Sequence, residues 1–338
     1  METEQNILTI RGLQSYFFTD SGAVPAVDGV DLDIPRGRIV GLVGESGCGK
    51  SMTAKSIMGL LRAPGRIAGG QILFEGRDLA KLPEKELRKV CGQDISMVFQ
   101  EPMTSLNPVL KVGRQVRETL LVHDRSLGKE EARRRVVEMF AKVGIPEPEK
   151  RYDCYPHELS GGLRQRVMIA MAMVCRPKLL IADEPTTALD VTIEAQILQL
   201  MRSLRDETGM SVLIITHNLG VVAELCDEVY VMYAGRIVEH AETFELFDHT
   251  AHPYTKGLLA SIPRIGQDAD RLHTIPGVVP NLLHLPAGCA FCNRCEAATD
   301  ACRTTAPALV EAAPGHTVRC LRCAAPAQTK PQGGNADA

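Results

Sequence analysis

Residues Gly44 to Ser51, GESGCGKS, have the residue types and the spacing of a phosphate-binding loop. The apolar run Ile39–Val43 before them reads as a buried strand, and TAKSIMGLL after Ser51 has a helical pattern. Glycines let the backbone N–H groups turn inward, so that these groups and the helix N-terminus can hold phosphate oxygens. Lys50 would place its charge between the β- and γ-phosphates, and Ser51 would offer its hydroxyl to Mg²⁺. The stretch therefore predicts binding of a nucleoside triphosphate by Gly44, Glu45, Ser46, Gly47, Cys48, Gly49, Lys50 and Ser51.

A second candidate group is the pair of carboxylates at the end of the apolar run LLIADE, Asp183 and Glu184. A buried strand that ends in two carboxylates presents them at its C-terminal edge, where α/β folds bind ligands. Asp183 would hold Mg²⁺, and Glu184 would act as the general base for the attacking water. The dipeptide is a weak signal alone, but it becomes a strong one about 130 residues after a phosphate-binding loop.

Two further stretches admit more than one interpretation. In LSGGLRQR, Ser160, Gly161 and Gly162 could bind an anion at a helix start, or could be a helix cap with a flexible glycine pair. Tyr16, Phe17 and Phe18 form an aromatic cluster in a chain with 4% aromatic residues. Any one of these rings could stack on adenine or pack against the sheet.

The composition limits the class of protein. The formal net charge of −3 provides no basic field for nucleic acid. The first residues, METEQNILTIRGLQ, lack the basic start and apolar core of a signal peptide, and no run of about eighteen apolar residues predicts a membrane span. We therefore expect a cytosolic location, where disulfides are uncommon. The 11 cysteines are therefore not expected to pair as disulfides.

The elements that must position these residues alternate in type along the chain. Strand patterns before residue 100 give way to apolar residues at three- and four-residue steps, and strand patterns return at KLLIADE and SVLIITH. EVYVMYAGRIVEHA adds a hairpin-like pair. This order predicts a mainly parallel α/β sheet with a helical subdomain. We place the nucleotide-binding core at 1–250, its helical subdomain at about 101–177, an extension at 251–325 and a disordered tail at 326–338.

Six cysteines lie in the extension: Cys289, Cys292, Cys295, Cys302, Cys320 and Cys323. By spacing alone, the first three with one later cysteine would suit an iron–sulfur cluster. Two separated CxxC pairs would equally suit structural zinc. The residues themselves leave both possibilities open, together with reduced cysteines that bind no metal.

Five motifs in order, GESGCGKS, VFQEPMTSLNP, LSGGLRQR, LLIADEPTTALD and IITHN, resemble the ATPase subunit of an ABC transporter. The resemblance implies a P-loop NTPase core in which two ATPase domains pair head to tail. Each ATP would lie between one chain's phosphate-binding loop and Ser160, Gly161 and Gly162 of the other. It also implies the following roles: Gln100 senses Mg²⁺ and the attacking water, Asp190 lies at the dimer seam, His217 contacts the γ-phosphate and holds Glu184, and Phe17 stacks on adenine.

A narrower resemblance, carried by HPYTKGLLASIP and IPGVVPNLLHLPAGC, is to the oligopeptide, dipeptide and nickel importer ATPases. It implies a peripheral subunit on the cytoplasmic face of the inner membrane that powers peptide import. The implied partners are a second homologous ATPase or a second copy of this chain, two permease subunits and an extracytoplasmic solute-binding protein, but no nucleic acid. Import of nickel or another small solute stays open. The competing class is a soluble ABC ATPase acting on nucleic acid or ribosomes, which usually carries two cassettes or long coiled insertions.

The same resemblance implies a ligand set and shows three departures. Dipeptide-importer members carry a 4Fe–4S cluster at the positions of Cys289, Cys295, Cys302 and Cys320, which leaves Cys292 and Cys323 without a role. The departures from the family pattern are Cys48 for the usual Ser, Leu163 for Met and Glu194 for Gln. Because Cys48 lies beside Lys50 and a helix start, we expect the pKa of its thiol to be lowered and the thiol to react with a maleimide when the site is empty. The alternative is that Cys48 is a buried small residue with ordinary reactivity.

Overall fold

The structure is a computed structural model that describes residues 5–100, 105–187, 190–262 and 274–323. The strands are β1 (Asn6–Thr19), β2 (Gly22–Pro35), β3 (Ile39–Val43), β4 (Gly65–Phe74), β5 (Arg77–Asp78), β6 (Ile95–Val98), β7 (Leu179–Asp183), β8 (Ser211–Thr216), β9 (Glu228–Tyr233), β10 (Arg236–Glu242), β11 (Val310–Ala313) and β12 (His316–Val318). The helices are α1 (Lys50–Ile57), α2 (Glu84–Val90), α3 (Val112–His123), α4 (Lys129–Lys142), α5 (Pro148–Tyr152), α6 (Gly161–Met173), α7 (Val191–Thr208), α8 (Leu219–Leu225), α9 (Thr243–Asp248), α10 (Pro253–Ala260) and α11 (Asp300–Thr304).

The main sheet has the strand order β11-β12-β10-β9-β3-β8-β7-β6. Strands β9, β3, β8, β7 and β6 run parallel to one another, and every residue of β3, β6, β7 and β8 is buried. Such continuous apolar strands are typical of parallel sheets that are covered on both faces. The predicted mainly parallel α/β sheet is confirmed, and the carboxyl ends of its strands form one edge where ligands can bind.

A second, antiparallel sheet has the order β2-β1-β4-β5. Strands β1 and β2 are each 14 residues long and are joined by a tight turn. One face of β1 packs on helix α1, where the buried hydroxyl groups of Ser15 and Ser56 lie 2.7 Å apart. This sheet therefore lies against the helix that follows the phosphate-binding loop.

Helices α3, α4, α5 and α6 lie between β6 and β7 in the chain. Their apolar residues recur at helical spacing, and those of α3, α4 and α6 join the same buried core as β7 and β8. Helix α6 begins at its N-cap Ser160, whose hydroxyl accepts a hydrogen bond from the backbone N–H of Leu163. The helical part therefore places the LSGG segment at the start of a helix that is anchored in the core.

The C-terminal extension joins the core rather than forming a separate body. Strand β12 pairs with β10, and β11 pairs with β12, so that the extension lengthens the main sheet. Glu239 of β10 is fully buried and accepts hydrogen bonds from the backbone N–H groups of Ala251 and His252 and from Nε2 of His316. Because an unpaired buried carboxylate is costly, these bonds fix the beginning and the end of the extension on β10.

Among the described residues, no helix has the length and apolar character that a membrane crossing requires. The predicted tail at 326–338 and part of the VFQEPMTSLNP motif lie outside the described residues.

Candidate nucleotide site

The phosphate-binding loop connects β3 to α1 through two glycines in backbone conformations that other residues rarely adopt. Gly44 has φ 152° and Gly49 has φ 112°. A Cβ atom at Gly44 would collide with the carbonyl oxygen of Met232, and one at Gly49 would collide with that of Ala26. Since both obstacles are backbone atoms, these positions require glycine.

Lys50 is folded back over this loop. Its ammonium group donates to the carbonyl oxygens of Gly44 at 2.6 Å and Glu45 at 3.0 Å, and the residue is 5% exposed. A bound phosphate would replace these carbonyls as the partner of the ammonium group, since a charged oxygen is the stronger acceptor. The backbone of the loop and the side chain of Lys50 thus converge on one place.

Cys48 does not have the environment that the sequence predicted. The residue is fully buried in the core that lies under β1, β2 and β4. Burial raises the pKa of its thiol above the ordinary value of 9.0, although the charge of Lys50 acts in the opposite direction. The prediction of a lowered pKa is therefore wrong, because desolvation outweighs the nearby ammonium group. The burial of the thiol also argues against its reaction with a maleimide.

Two of the residues predicted to hold magnesium, Ser51 and Asp183, lie together, although 132 positions separate them in the chain. The hydroxyl of Ser51, in the first turn of α1, donates to Oδ1 of Asp183 at 2.9 Å. Burial raises the pKa of Asp183, and the hydrogen bond from Ser51 lowers it. The effect of burial is the larger, so the pKa lies above its ordinary value. A hydroxyl and a carboxylate in contact are the oxygen donors that Mg²⁺ prefers, so this pair fits that ion.

Glu184, the next residue, is held by three side chains. Its Oε2 accepts from Nε2 of Gln100 at 2.8 Å and from the hydroxyl of Thr187 at 2.9 Å, and its Oε1 lies 3.2 Å from Nδ1 of His217. Burial acts to raise the pKa of Glu184, but the hydrogen bonds from His217 and Thr187 outweigh it and hold the pKa below the ordinary value. Glu184 is therefore an ionised carboxylate with a fixed orientation.

The backbone at Glu184 is strained, with φ 47° in a residue that is not glycine. Its N–H donates to the carbonyl of Ile215 in the neighbouring strand β8. Such a conformation costs about 1–3 kcal/mol and persists where the surroundings enforce it. The strain turns Glu184 away from the strand and towards Gln100 and His217.

The LSGG segment and Asp190 stand at the starts of helices α6 and α7. Ser160 and Gly161 are exposed, and no hydrogen bond joins residues 160–162 to residues 44–51 in the described part of the chain. Asp190 caps α7 and accepts from the backbone N–H of Ile193. Helix α6 contacts the segment that follows Glu184, because Nε2 of Gln165 donates to the carbonyl of Pro185 at 2.6 Å. Within one chain these segments do not join the phosphate-binding loop.

Phe17 differs in position from its two aromatic neighbours. In β1 it shares a face with Ser15, the residue that contacts α1, whereas Tyr16 donates to Asp28 on the other face. The ring of Phe17 lies against Gly65, where a Cβ would come within 2.9 Å of it. This half-buried ring is thus on the side of β1 that faces the helix of the phosphate-binding loop.

The cysteines of the extension gather around one small cavity, whose lining includes Cys289, Cys292, Cys295, Cys302 and Cys320. Burial raises the pKa of Cys289 to about 11, whereas hydrogen bonds from Thr299 lower that of Cys302. The cavity volume of about 20 Å³ has room for one water molecule. In the described ranges, no three His, Cys, Asp or Glu side chains are placed to hold a metal ion. The sulfur donors are of the type that an iron–sulfur cluster requires, whereas the cavity between them is smaller than a four-iron cluster.

Three contacts of the site were not predicted from the sequence. Thr187 binds Glu184, as described above. The side chains of Tyr254 and Arg294, both from the extension, bind Glu45 in the phosphate-binding loop. Thr187 lies three residues after Glu184 and could have been considered, whereas no local pattern links Glu45 to a residue 249 positions away.

Family models and similar proteins both relate this chain to ABC transporters. A model described as ABC transporter matches residues 27–187, and one described as the C-terminal region of the oligopeptide/dipeptide transporter matches 238–302. The chain is 52% identical over 332 residues to a putative peptide import ATP-binding protein of Brucella ovis, covering 95% of this chain and 98% of the relative. It is 50% identical over 316 residues to the oligopeptide transport ATP-binding protein OppD of Escherichia coli, covering 94% and 93% of the two chains.

Solved structures with the same fold are ABC transporter cassettes. A dimeric bacterial cassette aligns with a TM-score of 0.63 at 28% identity, covering 70% of this chain and 98% of that one. A dimer of a post-hydrolysis state bound to ADP and Pi aligns with a TM-score of 0.64 at 27% identity, with the same coverage.

Proposed function

Because the chain belongs to the ABC transporter family, we propose that it is the ATP-binding and ATP-hydrolysing subunit that powers an importer for peptides. One observation carries the proposal. Lys50, Ser51, Asp183, Glu184 and His217, which follow three different strands, converge at the carboxyl edge of the parallel sheet. This is the edge at which α/β folds bind nucleotides.

The residues of this chain divide the chemistry between them. Lys50 and the N–H groups of residues 44–51 bind the phosphates, and the half-buried Phe17 stacks on the adenine. Ser51 and Asp183 would hold Mg²⁺, with Gln100 as a further candidate ligand, and the bound ion would supply positive charge to the phosphates. Glu184 takes the proton of the attacking water, and the contacts from Gln100, Thr187 and His217 orient it for that step.

The second half of the site comes from another ATPase chain. Ser160, Gly161, Gly162 and Asp190 make no hydrogen bond to the phosphate-binding loop of their own chain among the described residues, which supports a head-to-tail pair in which they complete the partner's site. The dimeric cassettes with the same fold support this arrangement. The partner is a homologous subunit or a second copy of this chain.

Coupling to transport requires further chains. The relatives that resemble this chain along its length are named for peptide import and oligopeptide transport, which supports a location at the cytoplasmic face of the inner membrane beneath two permease subunits. An extracytoplasmic solute-binding protein would deliver the peptide. Nickel or another small solute is the second candidate, because the extension resembles that of the nickel importers as well.

The extension adds one proposal about a cofactor. The resemblance implies a 4Fe–4S cluster on Cys289, Cys295, Cys302 and Cys320, and the shared cavity of these residues supports it, whereas the volume of that cavity does not. No step of ATP hydrolysis is assigned to the cluster. Iron analysis of anaerobically purified protein decides the matter: about four iron atoms per chain are expected with the cluster, and zinc alone or no metal excludes it.

The transport proposal is tested by reconstituting the chain with candidate permease subunits from the same organism and measuring ATP-dependent uptake of labelled peptides. The wild type should support uptake, and Lys50→Met should abolish it because the phosphates lose their buried cation. Lys85→Met is the matched control, since Lys85 is exposed on α2. Uptake of nickel but not of peptides would reassign the solute, and absence of ATP hydrolysis in the wild type would refute the proposed function.

A further inference from the structure

Glu45, the second residue of the phosphate-binding loop, is held by two residues of the C-terminal extension. Its backbone N–H donates to the hydroxyl oxygen of Tyr254 at 2.8 Å. Its carboxylate accepts two hydrogen bonds from the guanidinium of Arg294, at 2.6 Å from Nη1 and 2.9 Å from Nη2. Paired, charge-assisted bonds of this kind fix the direction of a side chain as well as its distance.

The guanidinium of Arg294 is itself held in place. Its side chain is 5% exposed, its Nε donates to the carbonyl of Pro276 at 2.9 Å, and the rings of Tyr233 and Phe291 flank it at about 6 Å. Tyr254 is fully buried against the same two rings. Both contacts to Glu45 therefore come from rigid parts of the extension.

The contacts act on the part of the loop that receives the phosphates. The carbonyl of Glu45 accepts a hydrogen bond from Lys50, so that the N–H, the carbonyl and the carboxylate of this one residue are all engaged. A loop that is ordered before its ligand arrives loses less entropy on binding. Fixing Glu45 should therefore raise the affinity of the loop for nucleotide.

We propose that the extension clamps the phosphate-binding loop, with Arg294 and Tyr254 as positioning residues that act through Glu45 to set the affinity for Mg-ATP. The inference rests on the proposed function of the loop. Arg294 lies directly between Asn293 and Cys295, in the segment whose cysteines surround the small cavity.

The test measures the Kd of the full-length chain for a fluorescent ATP analogue with Mg²⁺, together with its thermal stability. Arg294→Gln should weaken binding about tenfold, and Arg294→Lys should lie between it and the wild type because an ammonium lacks the paired donors. Tyr254→Phe should weaken binding in the same direction. Arg322→Gln is the matched control: Arg322 lies in the same extension, but its bond goes to the carbonyl of Ala297.

A double-mutant cycle separates the clamp from a general effect on folding. If Arg294 acts through Glu45, Arg294→Gln should change the Kd little in a Glu45→Gln background. Additive effects, or a folded Arg294→Gln with the affinity of the wild type, would overturn the clamp. If Arg294→Gln does not fold, Arg294→Lys and Tyr254→Phe decide, and wild-type affinity in both overturns the proposal. A wild-type chain that binds no nucleotide would instead refute the proposed function.

Discussion

Replacing Glu184 by Gln removes the negative charge of the side chain and keeps its shape. An amide oxygen at the position of Oε2 can keep the hydrogen bonds from Gln100 and Thr187. The amide nitrogen then faces Nδ1 of His217. Nδ1 can accept a hydrogen bond from it when the imidazole carries its proton on Nε2. The variant should therefore fold and bind Mg-ATP as the wild type does.

The expected loss is in the chemical step. An amide cannot take a proton from water, and general-base catalysis contributes about 10²–10⁴-fold. Steady-state hydrolysis should thus fall at least about a hundredfold, which corresponds to about 2.7 kcal/mol in the barrier. Because ATP binds but is not consumed, Glu184→Gln should also accumulate a dimer of ATPase domains that the wild type forms only briefly.

The assay is phosphate release by purified protein, combined with size-exclusion chromatography in Mg-ATP. Glu194→Gln is the matched control, since it makes the same chemical change in a residue that is bonded to Thr186 and not to Glu184. It should hydrolyse ATP at about the wild-type rate. Hydrolysis by Glu184→Gln within about tenfold of the wild type would refute the assignment of the base.

The pH dependence provides an independent check on Glu184. Hydrogen bonds hold its pKa below the ordinary value of 4.5, so the carboxylate is ionised throughout the neutral range. The acid limb of kcat/KM should accordingly lie below pH 4.5. Removing one of the bonds with Thr187→Val should move that limb to higher pH, and an unchanged profile would contradict this reading of the contacts.

Two further predictions concern buried groups. Cys48 should resist maleimide in the native chain and react only after denaturation, because its thiol is buried and its pKa is raised. Peptide mapping by mass spectrometry measures the labelling of Cys48. Rapid labelling of native Cys48 that ATP prevents would contradict the prediction. Burial lowers the pKa of His252 from 6.5 to about 4, so His252 binds a proton more readily in the unfolded chain. The free energy of unfolding should therefore fall by up to about 3 kcal/mol as the pH is lowered from 6.5 towards 4. His252→Asn keeps an acceptor for the N–H of Tyr254 and should flatten this loss in denaturant titrations, whereas an equally steep loss would exclude His252 as its source.

Much of the nucleotide site could be predicted because its chemistry depends on contiguous residues. The glycines and Lys50 must follow a strand and start a helix, and Asp183 and Glu184 must end a strand, so the local pattern determines their geometry. The alternation of strands and helices likewise determines the parallel sheet, and that sheet places Gly44, Glu184 and His217 at one edge.

Only the tertiary structure decided which side chains of these motifs are buried and which residues distant in the chain contact them. The thiol of Cys48 points into the core, so desolvation exceeds the effect of the adjacent Lys50, and nothing in the local sequence reports that burial. Strands β11 and β12 join the main sheet through pairing with β10, which depends on register between distant segments. Arg294 meets Glu45 across 249 positions because the packing of the extension on the core, rather than any local spacing, brings their charges together.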